Sequence, residues 1–325
     1  MTRALGFMRV SLRRFIGGLL LLVGATFLIY MTVRSAPGDA IDAITPMGTP
    51  DEVKAKLMAE FGLDRDPVSG YFMWLANSTG GDFGESLVVS PGEPVMSVAM
   101  GAFGQTLILA VVSLLVCLTL ALLGAIAFKR VGRVGQLGSG ILYVLTSAPS
   151  FVVAVCMMLL INWGVFTYLE QTGYVVPEWY PIPIYTDSYM PFVFAIIALV
   201  LGDGLFMEYF NSTRSELDGV RKAQFVAAVR SKGASTTPHI VRNMLVPVAA
   251  GYAARLPVVL GGAVIVEYVF TLEGAGYLLL EAAKVRDFPV VVGLSVLFTA
   301  VIIGVTVLSD MVRSAIDPRE VSHGG

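Results

Sequence analysis

The sequence predicts an all-α integral membrane protein with six transmembrane helices. Three observations predict it. Of 325 residues, 56% are hydrophobic and only 14% are charged, whereas ordinary soluble domains carry about 25% charged residues. The apolar residues fall in six long runs, each able to cross about 30 Å of hydrocarbon at about 1.5 Å per residue. The positive charges collect between alternate runs, as membrane topology requires.

The runs are 15–33, 105–128, 139–162, 190–210, 245–270 and 289–309. Arg3, Arg9, Arg13 and Arg14 precede the first, which gives it the look of a signal peptide. At about 19 residues it exceeds the roughly 7–15-residue apolar core of such a peptide, so it reads as an uncleaved helix. Pro37 also lies beyond any plausible cleavage point. Pro149 falls inside the third run, where neighbouring helices can satisfy the freed backbone groups. Pro257, Gly261 and Gly262 interrupt the fifth, which predicts a kink or a close helix approach there.

Orientation follows from Lys and Arg. With the N-terminus in the cytoplasm, the inner side receives Arg3, Arg9, Arg13, Arg14, Lys129, Arg130, Arg133, Arg214, Arg221, Lys222, Arg230, Lys232, Arg242, Arg313 and Arg319, which is 15 of the 22 basic residues. The 163–188 loop has none and carries Glu170, Glu178 and Asp187 instead. Both termini are therefore expected in the cytoplasm. Residues 1–34 form the N-terminal segment and first helix, 35–104 an external segment, 105–310 the helical core, and 311–325 a cytoplasmic tail.

The external segment is too long for a turn and too polar to span. Within it Thr49 to Phe61 reads as a helix, with Thr49 as N-cap, Pro50 at the first position, and Asp51 and Glu52 in the first turn. A small ordered element is expected, since long loops usually carry structure or function. The 163–188 loop is rich in rings, with Trp163, Phe166, Tyr168, Tyr174, Trp179, Tyr180 and Tyr185. Those rings suit the membrane–water boundary; stacking on a solute is the other reading.

Several function classes are disfavoured. The net charge of −2 argues against a nucleic-acid partner. Cys117 and Cys156 lie within apolar runs and read as inert packing residues. His239 and His323 fall outside any ligand spacing, so no metal site is expected. A membrane enzyme would need paired catalytic groups at one depth, and none stands out. The chain has no Gly-x-x-x-x-Gly-Lys-[Ser/Thr] with which to cradle ATP phosphates.

The informative segment is the basic loop 211–244, between the fourth and fifth runs. Gln224 to Gly233 reads as a short amphipathic helix. Phe225, Ala228 and Val229 share one face by i, i+3, i+4 spacing, and Gly233 supplies a left-handed stop. So short a helix cannot bury its face alone; it lies on the bilayer or enters a groove on a partner.

Here the chain resembles a known family. Ala227-Ala228-Val229-x-x-x-Gly233, followed by Val246-Pro247, resembles the EAA coupling loop of ABC importer permeases. The whole chain is similar to the B-type permease of dipeptide, oligopeptide and nickel importers. The matching pieces are Ser35-Ala36-Pro37-Gly38-Asp39, Glu60-Phe61-Gly62-Leu63-Asp64, Gly81-Asp82-Phe83-Gly84-Glu85-Ser86, Gly261 to Glu267 with Gly274-Ala275-Gly276, Arg286-Asp287-Phe288-Pro289-Val290-Val291, and Asp317-Pro318-Arg319. Each is weak alone; their order is specific.

The resemblance implies the type I importer permease fold, with a small periplasmic element between helices 1 and 2, in a bacterial inner membrane. It implies a second, homologous permease subunit, two ATPase subunits that carry ATP and Mg, and a periplasmic or lipid-anchored binding protein. It assigns Phe225, Ala227, Ala228, Val229, Lys232 and Gly233 to the helix that couples to an ATPase. No cofactor is expected in this chain. Peptides are the implied cargo, with nickel chelates, opines and glycosides as alternatives. Two departures stand out. Ala-Ala-Val replaces the family's Glu-Ala-Ala, and the stretch from Gly233 to Pro247 is short for the peptide branch.

Three charges lie inside runs. Insertion of one costs about 2.5–3.5 kcal/mol at a helix centre. Glu208 sits near the inner end of its run, within reach of water. Asp203 and Arg255 lie deeper, at similar depths and with opposite sign. They either pair with each other or line a wet translocation path. Glu267, near the outer end of its run, is assigned to gating or packing.

Overall fold

The computed structural model describes residues 2–35, 41, 45, 48–60, 64–127, 143, 146–172 and 189–316. Among these residues the backbone is helical, without a strand. The helices are α1 (Thr2–Arg34), α2 (Asp51–Glu60), α3 (Pro67–Thr79), α4 (Val95–Ala127), α5 (Ser150–Gln171), α6 (Met190–Leu201), α7 (Leu205–Lys222), α8 (Gln224–Ser231), α9 (Thr237–Ala253), α10 (Leu256–Val269), α11 (Ala275–Lys284) and α12 (Phe288–Ile316). The chain divides into two compact units, Met1–Thr106 with Glu273–Gly325, and Leu107–Leu272.

Among the described residues three helices are long and apolar enough to cross a membrane unbroken: Leu12–Arg34, Val95–Ala125 and Phe288–Ser309. The pair α6 and α7 passes the same test as one span bent by 57°. The six expected spans therefore do not appear as six straight helices, and the reasons are local. Among the described residues of the third run, Tyr143 and Thr146 are helical before Pro149 and α5 begins after it at Ser150, so the helix breaks at the proline. A proline has no N–H to give and its ring is compatible only with a helix start. That helix continues through Trp163 to Gln171, into the stretch expected as a loop. Residues 128–142, and the ring-bearing Tyr174, Trp179, Tyr180 and Tyr185, lie outside the described residues. The fifth run is broken at Ala254 and Arg255, with Pro257 in the first turn of α10. Ala36 to Asp39, Phe61 to Leu63 and Asp317 to Arg319 also lie outside the described residues.

In the first unit, α2 forms where Pro50, Asp51 and Glu52 announce it, with the Pro50 carbonyl accepting from the Val53 and Lys54 N–H groups at 3.0 and 3.2 Å. A second helix in the segment between the first two apolar runs, α3, goes beyond the sequence expectation. Its signal is Asp66-Pro67: the Asp66 carboxylate accepts from the N–H groups of Val68 and Ser69 at 3.2 and 3.3 Å, and Pro67 occupies the first position. This is an N-cap followed by the residue best suited to N1.

The same unit is fastened by one carboxylate. Asp287, fully buried, caps α12. Its Oδ2 accepts from the Ser86 hydroxyl at 2.6 Å and from the N–H groups of Leu87, Val88 and Val89 at 3.1, 2.9 and 3.0 Å. Four donors on one oxygen satisfy a charge that burial would otherwise penalise heavily. The segment so held is a tight loop. Ser86 N–H donates to the Glu93 carbonyl at 2.9 Å, and Val95 N–H donates to that of Gly84 at 2.9 Å. Below it Gly293 of α12 lies so close to Val95 that an added Cβ would stand 2.6 Å from Cγ1 of that valine. Phe103 and Phe298 stack 4.9 Å apart between α4 and α12. The Thr106 hydroxyl accepts from Ala275 N–H at 2.8 Å and so fixes the start of α11.

The second unit is built around the break between α6 and α7. Gly202 ends α6 in extended conformation, and Asp203 and Gly204 both have positive φ, 57° and 70°. Two left-handed residues in succession turn the chain. The N–H groups this frees do not go unpaired. Asp203 N–H donates to the Ala148 carbonyl at 2.8 Å, and Gly204 N–H to that of Thr146 at 2.6 Å. In return the Asp203 carboxylate accepts from Ser150 N–H, at the start of α5, at 3.2 Å. A third element closes on this elbow. A Cβ at Gly262 of α10 would meet the Ser150 hydroxyl at 2.7 Å and the Asp203 carboxylate at 3.2 Å. At Gly202 a Cβ would stand 2.3 Å from Ser150 Cα.

Two outcomes follow. Asp287→Ala strands four donors in a dry site and is expected to cost about 3–5 kcal/mol. It will be read as a lowered unfolding temperature in detergent and faster proteolysis between Gly81 and Val95. Gly202→Ala meets backbone and is expected to cost about 3 kcal/mol by overpacking. Gly261→Ala, with nothing within 4 Å of the added carbon, is expected to leave the same unfolding temperature unmoved.

Candidate functional site

Two features carry chemistry or mechanics: the short helix α8 and the charged residues at the two helix breaks.

The expected polar loop 211–244 is largely helical. The α7 helix runs on to Lys222, a single extended residue, Ala223, turns the chain, and α8 covers Gln224–Ser231. After Gly233, with φ of +70°, two residues lead to Thr236, whose carbonyl opens α9 by accepting from Ile240 N–H at 3.0 Å. The short stretch from Gly233 to Pro247 is thus a tight turn followed by helix, with Pro247 within α9.

The α8 helix packs back on α7, and its buried residue is Val226, 3% exposed. Ala227, Ala228, Lys232 and Gly233 are exposed, and Val229 is half-buried. Phe225 leaves 37% of its surface open. At about 100° per residue, Ala228, Lys232 and Phe225 lie within roughly 60° of one another on the helix. The outcome is a one-sided anchor with an aromatic ring, small alanines and a cation on the open side. The helix ends as the glycine predicts: Gly233 N–H donates to the Arg230 carbonyl at 3.0 Å, and Ala234 N–H to that of Val229 at 3.3 Å. This is a left-handed C-terminal turn.

The charges at the breaks are arranged differently from the expected pair. Arg255 bonds the carboxylate of Glu208, not that of Asp203. Asp203 is instead engaged with the start of α5. Depth counted along straight helices placed Asp203 and Arg255 level, but the 57° bend redirects everything after Gly204. Glu208 then lies in the first turn of α7 and Arg255 immediately before α10. Glu208 was read as a residue in water near the inner end of its run. The dipeptide Gly202-Asp203 followed by Gly204 was the signal that the run does not continue straight. The pair is half-open, with the two side chains 40% and 47% exposed. Glu267, by contrast, is 1% exposed within α10, and its carbonyl caps the helix by accepting from Leu272 N–H at 2.9 Å. Its position is that of a packed residue.

Comparison with known proteins gives the family. Residues 117–321 match the family model described as binding-protein-dependent transport system inner membrane component. A Brucella ovis protein, whose name proposes a peptide permease, is 31% identical over 331 residues, covering 96% of this chain and 98% of that one. The oligopeptide transport system permease protein AppB of Bacillus subtilis is 27% identical, covering 95% of this chain and 98% of the relative. The metal-staphylopine import system permease protein CntB of Staphylococcus aureus is 26% identical, covering 90% and 91%. The coverage is near end to end, and the apolar helices fit a permease component of an ABC importer. This chain belongs to the binding-protein-dependent transport system inner membrane component family.

Proposed function

We propose that the chain is the transmembrane permease of an ATP-driven importer for di- or oligopeptides, working with a second, homologous permease. Its termini lie in the cytoplasm, as the Lys and Arg distribution requires. Two ATPase subunits bind on that side, and a periplasmic or lipid-anchored binding protein delivers solute on the other. The observation that carries this reading is α8. It exposes an aromatic ring and two alanines on a helix whose buried side carries Val226, which is the form of a segment that completes itself in a partner's groove. Force applied there passes to α7 through Val226 and onward to the elbow at Asp203, where α5, α6 and α10 meet.

Asp203 and Arg255 contribute to the wall of the path, with Glu208 beside Arg255. Charges at such depth face a water-filled cavity or the bundle interior, because lipid would exclude them. Their half-open side chains fit a wet wall. Peptides as cargo rest on the names of relatives such as the oligopeptide permease of Bacillus subtilis. The metal-staphylopine permease supports a metal chelate as the second reading.

Two measurements test the proposal. In the reconstituted importer, Phe225→Asp is expected to abolish solute-stimulated ATP hydrolysis and uptake while the permease still folds and inserts. Disulfide trapping of Ala228→Cys against a cysteine in the ATPase groove is expected to succeed. Unchanged coupling in Phe225→Asp would refute the role of α8. For the ion pair, Arg255→Glu and Glu208→Arg alone are expected to lower the amount of assembled permease, and the double exchange to recover it. Recovery of assembly without recovery of uptake would place the pair on the path.

A further inference from the structure

The external helix α3 is packed against α1 far from the end of that helix. The Tyr71 hydroxyl donates to the Val23 carbonyl at 2.9 Å and shares a hydrogen bond of 2.9 Å with the Thr26 hydroxyl. Val23 is the midpoint of the apolar stretch Leu12–Arg34. From Arg34 to Val23 is eleven residues, about 16 Å along the helix, and half of the hydrocarbon layer is about 15 Å. The Tyr71 hydroxyl is therefore near the bilayer centre. A tyrosine side chain covers less than half of that depth, so the backbone of α3 is drawn beneath the level of Arg34.

Other contacts run from that level toward Arg34. Phe27 and Tyr71 meet at 5.1 Å, Tyr30 and Tyr71 at 5.7 Å, and Tyr30 and Trp74 at 6.0 Å. Gly70 allows the approach, since a Cβ there would stand 2.8 Å from the Tyr30 hydroxyl. The leading end of α3 lies at the boundary, where the Arg34 guanidinium donates to the Arg65 carbonyl at 3.5 Å.

The face of α3 turned away from α1 is open, with Ser69 among its large apolar side chains and the Arg65 guanidinium donating to the Met73 sulfur. Val68, Phe72 and Met73 are 46%, 59% and 49% exposed, and Val68 and Phe72 are one turn apart. In water this face would be a liability; at the depth fixed by Tyr71 it has a solvent. The neighbouring surface of α1 is of the same kind, with Leu20, Leu21 and Leu28 all more than 60% exposed.

We propose that α3 is embedded in the leaflet at the Arg34 end of α1 and that Val68, Phe72 and Met73 bind lipid acyl chains. The segment between the first two spans is then part membrane anchor, not wholly an aqueous element. Trp74 and Tyr30 sit where amphipathic rings collect at such a boundary, and an apolar helix face lying in the interface is the geometry of a monotopic anchor.

The test uses the assembled importer in liposomes, in a Cys117→Ala, Cys156→Ala background. A bimane label is placed at Phe72→Cys, and separately at Val68→Cys and Met73→Cys, so that no single variant decides. Glu52→Cys on α2 serves as the aqueous reference. At the α3 positions the expected result is blue-shifted emission, quenching by lipids with an acyl-chain nitroxide, and loss of most of the iodide quenching seen at Glu52→Cys. Iodide quenching equal to that at Glu52→Cys would overturn the proposal in favour of a water-facing helix. Protection from both quenchers would overturn it in favour of a protein neighbour, the second permease being the first to examine.

Discussion

One oxygen atom organises the first unit. The Asp287 Oδ2 gathers a hydroxyl and three backbone N–H groups from residues about two hundred positions earlier in the chain. Everything around it depends on that placement. The loop from Gly84 to Val95 buries Leu87 and Val95 and is held in shape by this anchor. The start of α4 follows directly from the loop, and α12 starts on Asp287 itself. A charged acceptor is suited to the task because each N–H bond to it is stronger than one to a neutral carbonyl. It also fixes direction: three successive N–H groups point at one atom only when the backbone curls around it.

The second unit solves a different problem with similar means. Inside a membrane, irregular backbone is tolerated only where protein partners replace water. The Gly202–Gly204 elbow meets that condition through reciprocal bonds with Thr146, Ala148 and Ser150. The absence of side chains at Gly202 and Gly262 lets α5 and α10 come close enough to make them. The bend is therefore a rigid joint with fixed geometry. The ion pair of Arg255 with Glu208 bridges α7 to the second break and braces the same corner from another side.

Much of this was legible in the sequence. Long apolar runs gave the membrane class, Pro50-Asp51-Glu52 gave α2, and Phe225 to Gly233 gave α8 with its left-handed end. The paired blocks Gly81 to Ser86 and Arg286 to Val291 were legible as motifs, but not as partners. No rule of spacing tells that a serine will bond an aspartate across most of the chain. The Asp203–Arg255 pair failed for a related reason. Hydropathy reports composition along a line, and the fold departs from that line at Gly202. The charge assignment was sound as chemistry, since Arg255 does find a carboxylate, but the carboxylate was chosen by a bend of 57°. Helix α3 was missed because Gly70 and Ser69 dilute its apolar content, although Asp66-Pro67 marks its start.

The elbow has a consequence for biogenesis. Thr146 and Ala148 are synthesised more than fifty residues before Asp203 and Gly204, whose N–H groups their carbonyls will accept. At about 5–20 residues per second of synthesis, those carbonyls wait roughly three to twelve seconds for their partners. During that interval the start of α5 has neither its carboxylate cap nor its neighbours. The segment before Ser150 must stay in water, in the insertion machinery or against another helix until α6 arrives. The third and fourth apolar segments are thus obliged to enter the bilayer as a pair, and the order of translation is written into the joint.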